Sequence, residues 1–269
     1  KPETRNLKID YIFDGYEHDT KMFPHKDADL HIRDIDGHVC EEAAKCIKEN
    51  APDLNWVYMW YTDDAFHQRG YGKFSDEALM NADRQLKGVW DAIKYREKNF
   101  DEEWLVIITT DHGRTFDGHG HGGQSQTERT VWMATNHKKL NKEWGRKTLS
   151  QIDICPTICR YMDFRLPRDV EFEQEGIPFI GPTDIFNLQA KTYDDTLNLT
   201  WEHQGKKSTA KVYIATTNNF ASGGKDDWIE VCEVPAAAGK ASIDMSKYKS
   251  DFRKVVVATP YTSLTRWIK

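Results

Sequence analysis

At 269 residues with a net charge of −6, the chain is long enough for two domains and only mildly acidic. That balance excludes the basic footprint of a nucleic-acid duplex binder, and nine Trp, eleven Tyr and twelve Phe exclude global disorder. No apolar run reaches the ~18 residues of a membrane span. Five scattered cysteines (Cys40, Cys46, Cys155, Cys159, Cys232) match neither a zinc knuckle nor a redox pair, and are expected to be buried small apolar residues.

In chain order, residues 8–13 (KIDYIF) read as a short strand, and 14–36, rich in His, Asp, Pro and Gly, as an active-face loop. Residues 41–50 continue the helical spacing of Val39, Ala43, Ala44 and Ile47 until Ala51-Pro52-Asp53 stops it. Residues 56–61 (WVYMWY) have the near-continuous aromatic and β-branched character of a strand buried on both faces. A long helix is expected over 75–98, with Ser75 as N-cap and Leu79, Leu86, Val89, Trp90 and Ile93 on its apolar stripe. Residues 104–110 (WLVIITT) and 131–135 predict further strands, and 148–162 another helix despite Pro156.

Strands separated by such helices predict an α/β domain over 1–182: a mostly parallel sheet flanked by helices, with ligands collecting at the carboxyl ends of its strands. Past Pro182 the pattern changes. Residues 196–201, 210–216, 228–231, 240–245 and 254–258 alternate with period two between Gly-, Asn- and Asp-rich turns. They predict a small all-β sandwich over 187–269, with Trp201 as a core aromatic.

The chemistry concentrates at the expected strand ends. Asp111 and His112 stand side by side after 104–110, the glycine-rich run 118–123 brings His119 and His121, and Asp63 and His67 stand four apart after 56–61. Carboxylate oxygen and neutral imidazole nitrogen are the donors favoured by zinc, manganese and iron in catalytic sites, and the lack of cysteine donors fits catalysis better than structural zinc. Each element alone has an ordinary reading as a turn, a surface histidine or a flexible loop. Their joint occurrence points to a metal site.

The order Asp63-x-x-x-His67, then Thr109-Thr110-Asp111-His112-Gly113, then His121-Gly122-Gly123 resembles the alkaline phosphatase superfamily, and within it the phosphodiesterase and nucleotide pyrophosphatase branch. Residues 150–158 (SQIDICPTI) and Glu128-Arg129-Thr130 add to the likeness, which spans roughly residues 1–182. The C-terminal part loosely resembles a fibronectin type III-like module. The resemblance implies that Asp63, His67 and His121 bind one ion while Asp111 and His112 help to bind a second, zinc being foremost. His121 is preferred to His119 because it directly precedes Gly122-Gly123; His119 would orient a neighbour. Two such ions, ~4 Å apart, would clamp the attacking and leaving oxygens of an in-line displacement on a small phosphate ester.

The pattern departs from the family in two places. No Thr or Ser nucleophile is evident early in the domain; Asp14 imitates the strand-end Asp that precedes it, but Thr20 lies too close and His38-Val39-Cys40 lacks the hydroxyl. The expectation is that the first strand, its Asp and the nucleophile lie upstream of Lys1, in an N-terminal piece without which the chain would be inactive. Phe66 stands where relatives tend to carry Gly before the histidine. Alternatives are a sulfatase-type esterase, a phosphotransferase, and a non-catalytic metal-fold scaffold or binding protein. The sandwich is expected to be a spacer rather than a carbohydrate- or surface-binding module, and such accessories suit an extracytoplasmic enzyme.

Overall fold

The structure is a computed structural model and describes residues 8–146 and 149–268. Contacts divide the chain into two compact units: one runs to Trp104 and includes Thr109–Trp132, and the other comprises Leu105–Ile108 and everything from Met133 onward.

The first unit is built on three helices, α1 (Leu30–Asn50), α2 (Tyr61–Arg69) and α3 (Lys73–Phe100). Helix α1 begins well before residue 41, inside the stretch expected to be a loop, because Ile32, Ile35 and Ala43 continue one buried stripe. Helix α3 packs on α1, where its Ala78 joins the buried cluster of Ile32 and Ile35; Ala92 and Ile93 are also buried, whereas Leu79 and Trp90 of its expected apolar stripe are exposed. Its N-cap is Gly72; the buried Ser75 hydroxyl donates instead to the Gly70 carbonyl at 2.6 Å.

The expected mostly parallel sheet does not form, and the α/β assignment is corrected accordingly. Residues 8–13 are exposed and irregular. Residues 54–60 take no regular secondary structure, no strand pairs with them among the described residues, and exposed and less exposed side chains alternate along them. Cys40 Sγ approaches Met59 Sδ at 3.8 Å on one side, while Leu54, Trp56, Tyr58 and Trp60 are exposed on the other. Among the described residues of this part of the chain, β1 (Ile107–Thr109) and β2 (Met133–Thr135) pair as a two-stranded sheet, and Leu140 and Ile180 form an isolated bridge. Aromatic and β-branched composition makes a segment fit for a sheet, but a ladder needs neighbours on its edges.

In the second unit, the short helix α4 (Glu143–Arg146) is followed by α5 (Ile154–Tyr161) and α6 (Arg168–Glu171). Pro156 is tolerated because it lies in the first turn of α5, where N–H groups have no intrahelical acceptor. Ser150 and Asp153 form a capping box on the 3-10 turn that precedes α5. Asp153 Oδ1 also accepts the Ile177 N–H at 2.7 Å, and Thr157 Oγ1 accepts that of Phe179 at 3.0 Å. The SQIDICPTI run thus fastens residues 177–179 to α5.

Seven strands follow: β3 (Ile185–Tyr193), β4 (Thr196–His203), β5 (Thr209–Ala215), β6 (Ile229–Pro235), β7 (Lys240–Asp244), β8 (Arg253–Ala258) and β9 (Ser263–Ile268). They make two antiparallel sheets, ordered β3-β4-β7 and β6-β5-β8-β9. Leu197, Leu199, Val212, Ile214, Val255, Val257 and Leu264 belong to one apolar core drawn from both sheets. Trp201 is buried with them, its indole N–H donating to the Ala236 carbonyl at 2.8 Å. Residues of the opposite parity, Tyr213, Val256 and Ala258, pack against Phe172. Strand β3 escapes sequence patterning because its register shifts between Phe186 and Gln189, with Asn187 at φ 57°.

Cys40 and Cys46 are buried, but Cys155 is exposed and Cys159 and Cys232 are half-buried, so the expectation that all five are buried is corrected; all five are free thiols. Among the described residues no helix is long and apolar enough to cross a membrane.

Candidate metal centre

Two short stretches of the first unit converge. Helix α2 presents Asp63 and His67 on successive turns, an i,i+4 pair with His67 Nε2 3.2 Å from Asp63 Oδ2. The segment after β1 supplies the rest. His112 Nε2 lies 3.7 Å and His121 Nε2 3.6 Å from Asp63 Oδ1, and Asp111 Oδ1 lies 3.5 Å from His112 Nε2. Asp63, His112 and His121 each offer one ligand atom, all within 4.8 Å of one another. His67 and Asp111 flank that group, and the rings of His112 and His121 stack at 3.7 Å. The grouping differs from the division that the family resemblance implies, since His112 stands with Asp63 and His121 rather than apart with Asp111.

The donor set fits a divalent cation. Zinc bound to imidazole nitrogen and carboxylate oxygen at ~2.0–2.2 Å in tetrahedral geometry sets its ligand atoms ~3.4 Å apart. The contacts that Asp63 makes with His67, His121 and His112, at 3.2, 3.6 and 3.7 Å, bracket that spacing.

The supporting loop explains its glycines. Gly113 donates its N–H to the Glu128 carbonyl at 2.8 Å, and a Cβ on Gly113 would fall 2.1 Å from the Thr127 carbonyl oxygen, so only glycine fits beside the Asp111–His112 pair. Gly123 donates its N–H to Glu128 Oε1 at 2.7 Å, and Ser125 donates its hydroxyl to Oε2. The Ser125 hydroxyl and then the Gly123 N–H hold the Glu128 carboxyl below the usual range. His119 does not join the cluster; its Nδ1 lies 3.1 Å from the His67 carbonyl and ties this loop to the end of α2. Asp14 sits in an exposed turn, its Oδ1 accepting the Gly15 N–H.

Two participants escape the sequence patterns. Arg114 pairs its guanidinium with Asp63 Oδ1 and donates to the Asp63 carbonyl at 3.0 Å. The guanidinium also lies 5.0 Å above the Phe66 ring, which in turn meets Tyr71 edge-on. The residue that departs from the family pattern is therefore the platform for an unforeseen cation. Tyr58 is the second: although its side chain is exposed overall, partial desolvation and then the carboxylates of Asp111 and Asp63 push its phenol up. The only sequence signal for Arg114 was its place two residues after His112. The neighbouring carboxyl of Asp64 is pushed up by burial and then by Asp29 and Asp63.

Comparison with known proteins adds little. No family model matches the chain, and no curated protein matches it. Among solved structures, a crystal structure of pectate lyase Pel3 from Pectobacterium carotovorum is similar over 31% of this chain and 24% of that one, at 16% identity and a TM-score of 0.21. So slight and partial a likeness bears on neither fold nor activity.

Proposed function

We propose that the chain carries the metal-binding part of a phosphoric-ester hydrolase of the phosphodiesterase type. The observation that supports this reading is the convergence of Asp63, His112 and His121 from separate segments, with their ligand atoms within 4.8 Å. In this reading Asp63, His112 and His121 hold a divalent cation, zinc by donor chemistry, with His67 beside them and Asp111 toward a second ion. Such an ion supplies Lewis acidity toward phosphoryl oxygen and lowers the pKa of a bound hydroxyl or water. The protein's own contribution is orientation. The Asp63 carboxylate is fixed by Arg114, the Asp111–His112 pair by the Gly113–Glu128 backbone bond, and the His121 loop by Glu128. Arg114 also offers a cation that a phosphate anion could share.

Zinc titration followed by calorimetry tests the site. The chain is expected to bind zinc, and His112→Ala and His121→Ala are each expected to weaken binding by at least ~10–100-fold. Equal affinity in both variants would refute the cluster as ligands. A panel of phosphate mono- and diesters, run on the longest available form of the protein, then tests the reaction class. Zinc binding without turnover of any ester favours the scaffold reading.

A further inference from the structure

The second unit holds a charged cluster that the metal centre does not use. In β8, residues 254, 256 and 258 share the face covered by Phe172, an apolar row in which Lys254 is nonetheless 1% exposed. Its Nζ lies 2.6 Å from Glu173 Oε2 and 2.6 Å from Asp226 Oδ2, with the two acid side chains 9% and 0% exposed. The rings of Trp228 and Trp267 stand 5.4 and 5.3 Å from the same Nζ. One ammonium between two carboxylates leaves a surplus negative charge, which burial opposes. Burial accordingly pushes the Glu173 carboxyl up, despite its bond to Lys254. Against the effect of burial, hydrogen bonds from Lys254, Thr217 and Asn219 hold the Asp226 carboxyl low.

The surroundings of Asp226 are those of an acyl donor, an electrophilic carboxyl whose oxygen is met by hydrogen-bond donors. Its Oδ1 accepts the Thr217 hydroxyl at 2.5 Å and the Asn219 N–H at 2.8 Å, while Oδ2 faces Nζ. We propose that Lys254 and Asp226 condense into an intramolecular isopeptide bond, with Glu173 carrying the protons.

The chemistry balances without a co-reactant. Glu173 passes a proton to Oδ2 and takes one from Nζ, freeing an amine to attack Cγ. Charge that develops on Oδ1 meets the Thr217 and Asn219 donors, which are already in place. The Nζ–Cγ bond forms, the Cγ–Oδ2 bond breaks, and Oδ2 leaves as water with the two protons that nitrogen has lost. Glu173 ends as it began. Fixed proximity supplies the effective concentration, and the product replaces a buried ion pair with a neutral amide. The bond would tie β8 covalently to the loop between β5 and β6.

Intact-mass spectrometry of the purified full chain decides the matter. The expected mass is lower than the sequence mass by one water, and proteolysis should release a branched peptide containing Asp226 and Lys254. Lys254→Arg and Glu173→Gln should keep their full masses, whereas Asp226→Asn should lose ammonia and reach the same product as the parent. A parent chain that retains its full sequence mass, after folding and after prolonged incubation across a range of pH, overturns the proposal whether or not the variants fold. A Glu173→Gln variant that cross-links as fast as the parent removes Glu173 from the chemistry.

Discussion

Residues 54–60 and strand β8 share a richness in strand-forming residues and meet opposite fates. Both are short runs, one led by aromatic and the other by β-branched side chains. Strand β8 is paired on both edges, by β5 and β9, and every residue from Lys254 to Ala258 is buried. Residues 54–60 have no strand beside them among the described residues, and Trp56 is 86% exposed. The contrast teaches that strand composition is a capacity, realised only when another segment supplies the ladder and a cover for the face. It also separates two kinds of order. The second unit is held by an apolar core shared between sheets, whereas the first holds its site through polar fastenings on helices and loops, among them Asp36, Arg114 and Glu128.

Three measurements would break or sharpen that comparison. Phe172 is fully buried against the outer face of β8, so Phe172→Ala should cost about 3–5 kcal/mol in a denaturant melt; a loss below 1 kcal/mol would show that face to be loosely covered.

Next comes a pH dependence in the first unit. Asp36 accepts the Trp60 N–H at 3.0 Å and the Tyr61 N–H at 2.8 Å, yet burial outweighs these bonds and pushes its carboxyl up to about 6. The folded chain therefore binds this proton more tightly than the unfolded one. Stability from this group is fully present below the unfolded value of about 3.9, and is lost as pH rises through about 6, a swing on the order of 3 kcal/mol. Asp36→Asn should flatten that part of the stability profile, and an unchanged slope would count against the burial of Asp36.

The smallest effect is expected where the contrast is sharpest. Trp56→Ser removes an exposed ring and should alter stability by no more than about 0.5 kcal/mol. A loss approaching that of Phe172→Ala would mean that this aromatic face is covered in solution.

Much of the local order was legible in the chain. The helix over 75–98 lies within α3, the helix over 148–162 contains α5, and the alternating runs after Pro182 lie in or overlap β4, β5, β6, β7 and β8. The candidate site residues were legible as carboxylates and imidazoles recurring after 56–61, after 104–110 and in the glycine-rich run 118–123, but Asp63 and His67 lie on helix α2 rather than at a strand end. Strand β3 was hidden by its bulge and α1 by a polar start, while Arg114 offered only its place two residues after His112 and Tyr58 no spacing signal.

What the sequence determined by itself is therefore periodic or local: helices, alternating strands, turn glycines and the side chains fit to hold a cation. What only the tertiary structure decided is partnership, namely that 54–60 has no ladder, that His112 groups with Asp63 and His121, and that Lys254 is enclosed between Glu173 and Asp226. The physical reason is range. Backbone propensity and side-chain period act over a few residues, whereas pairing, burial and charge compensation depend on segments brought together from anywhere along the chain.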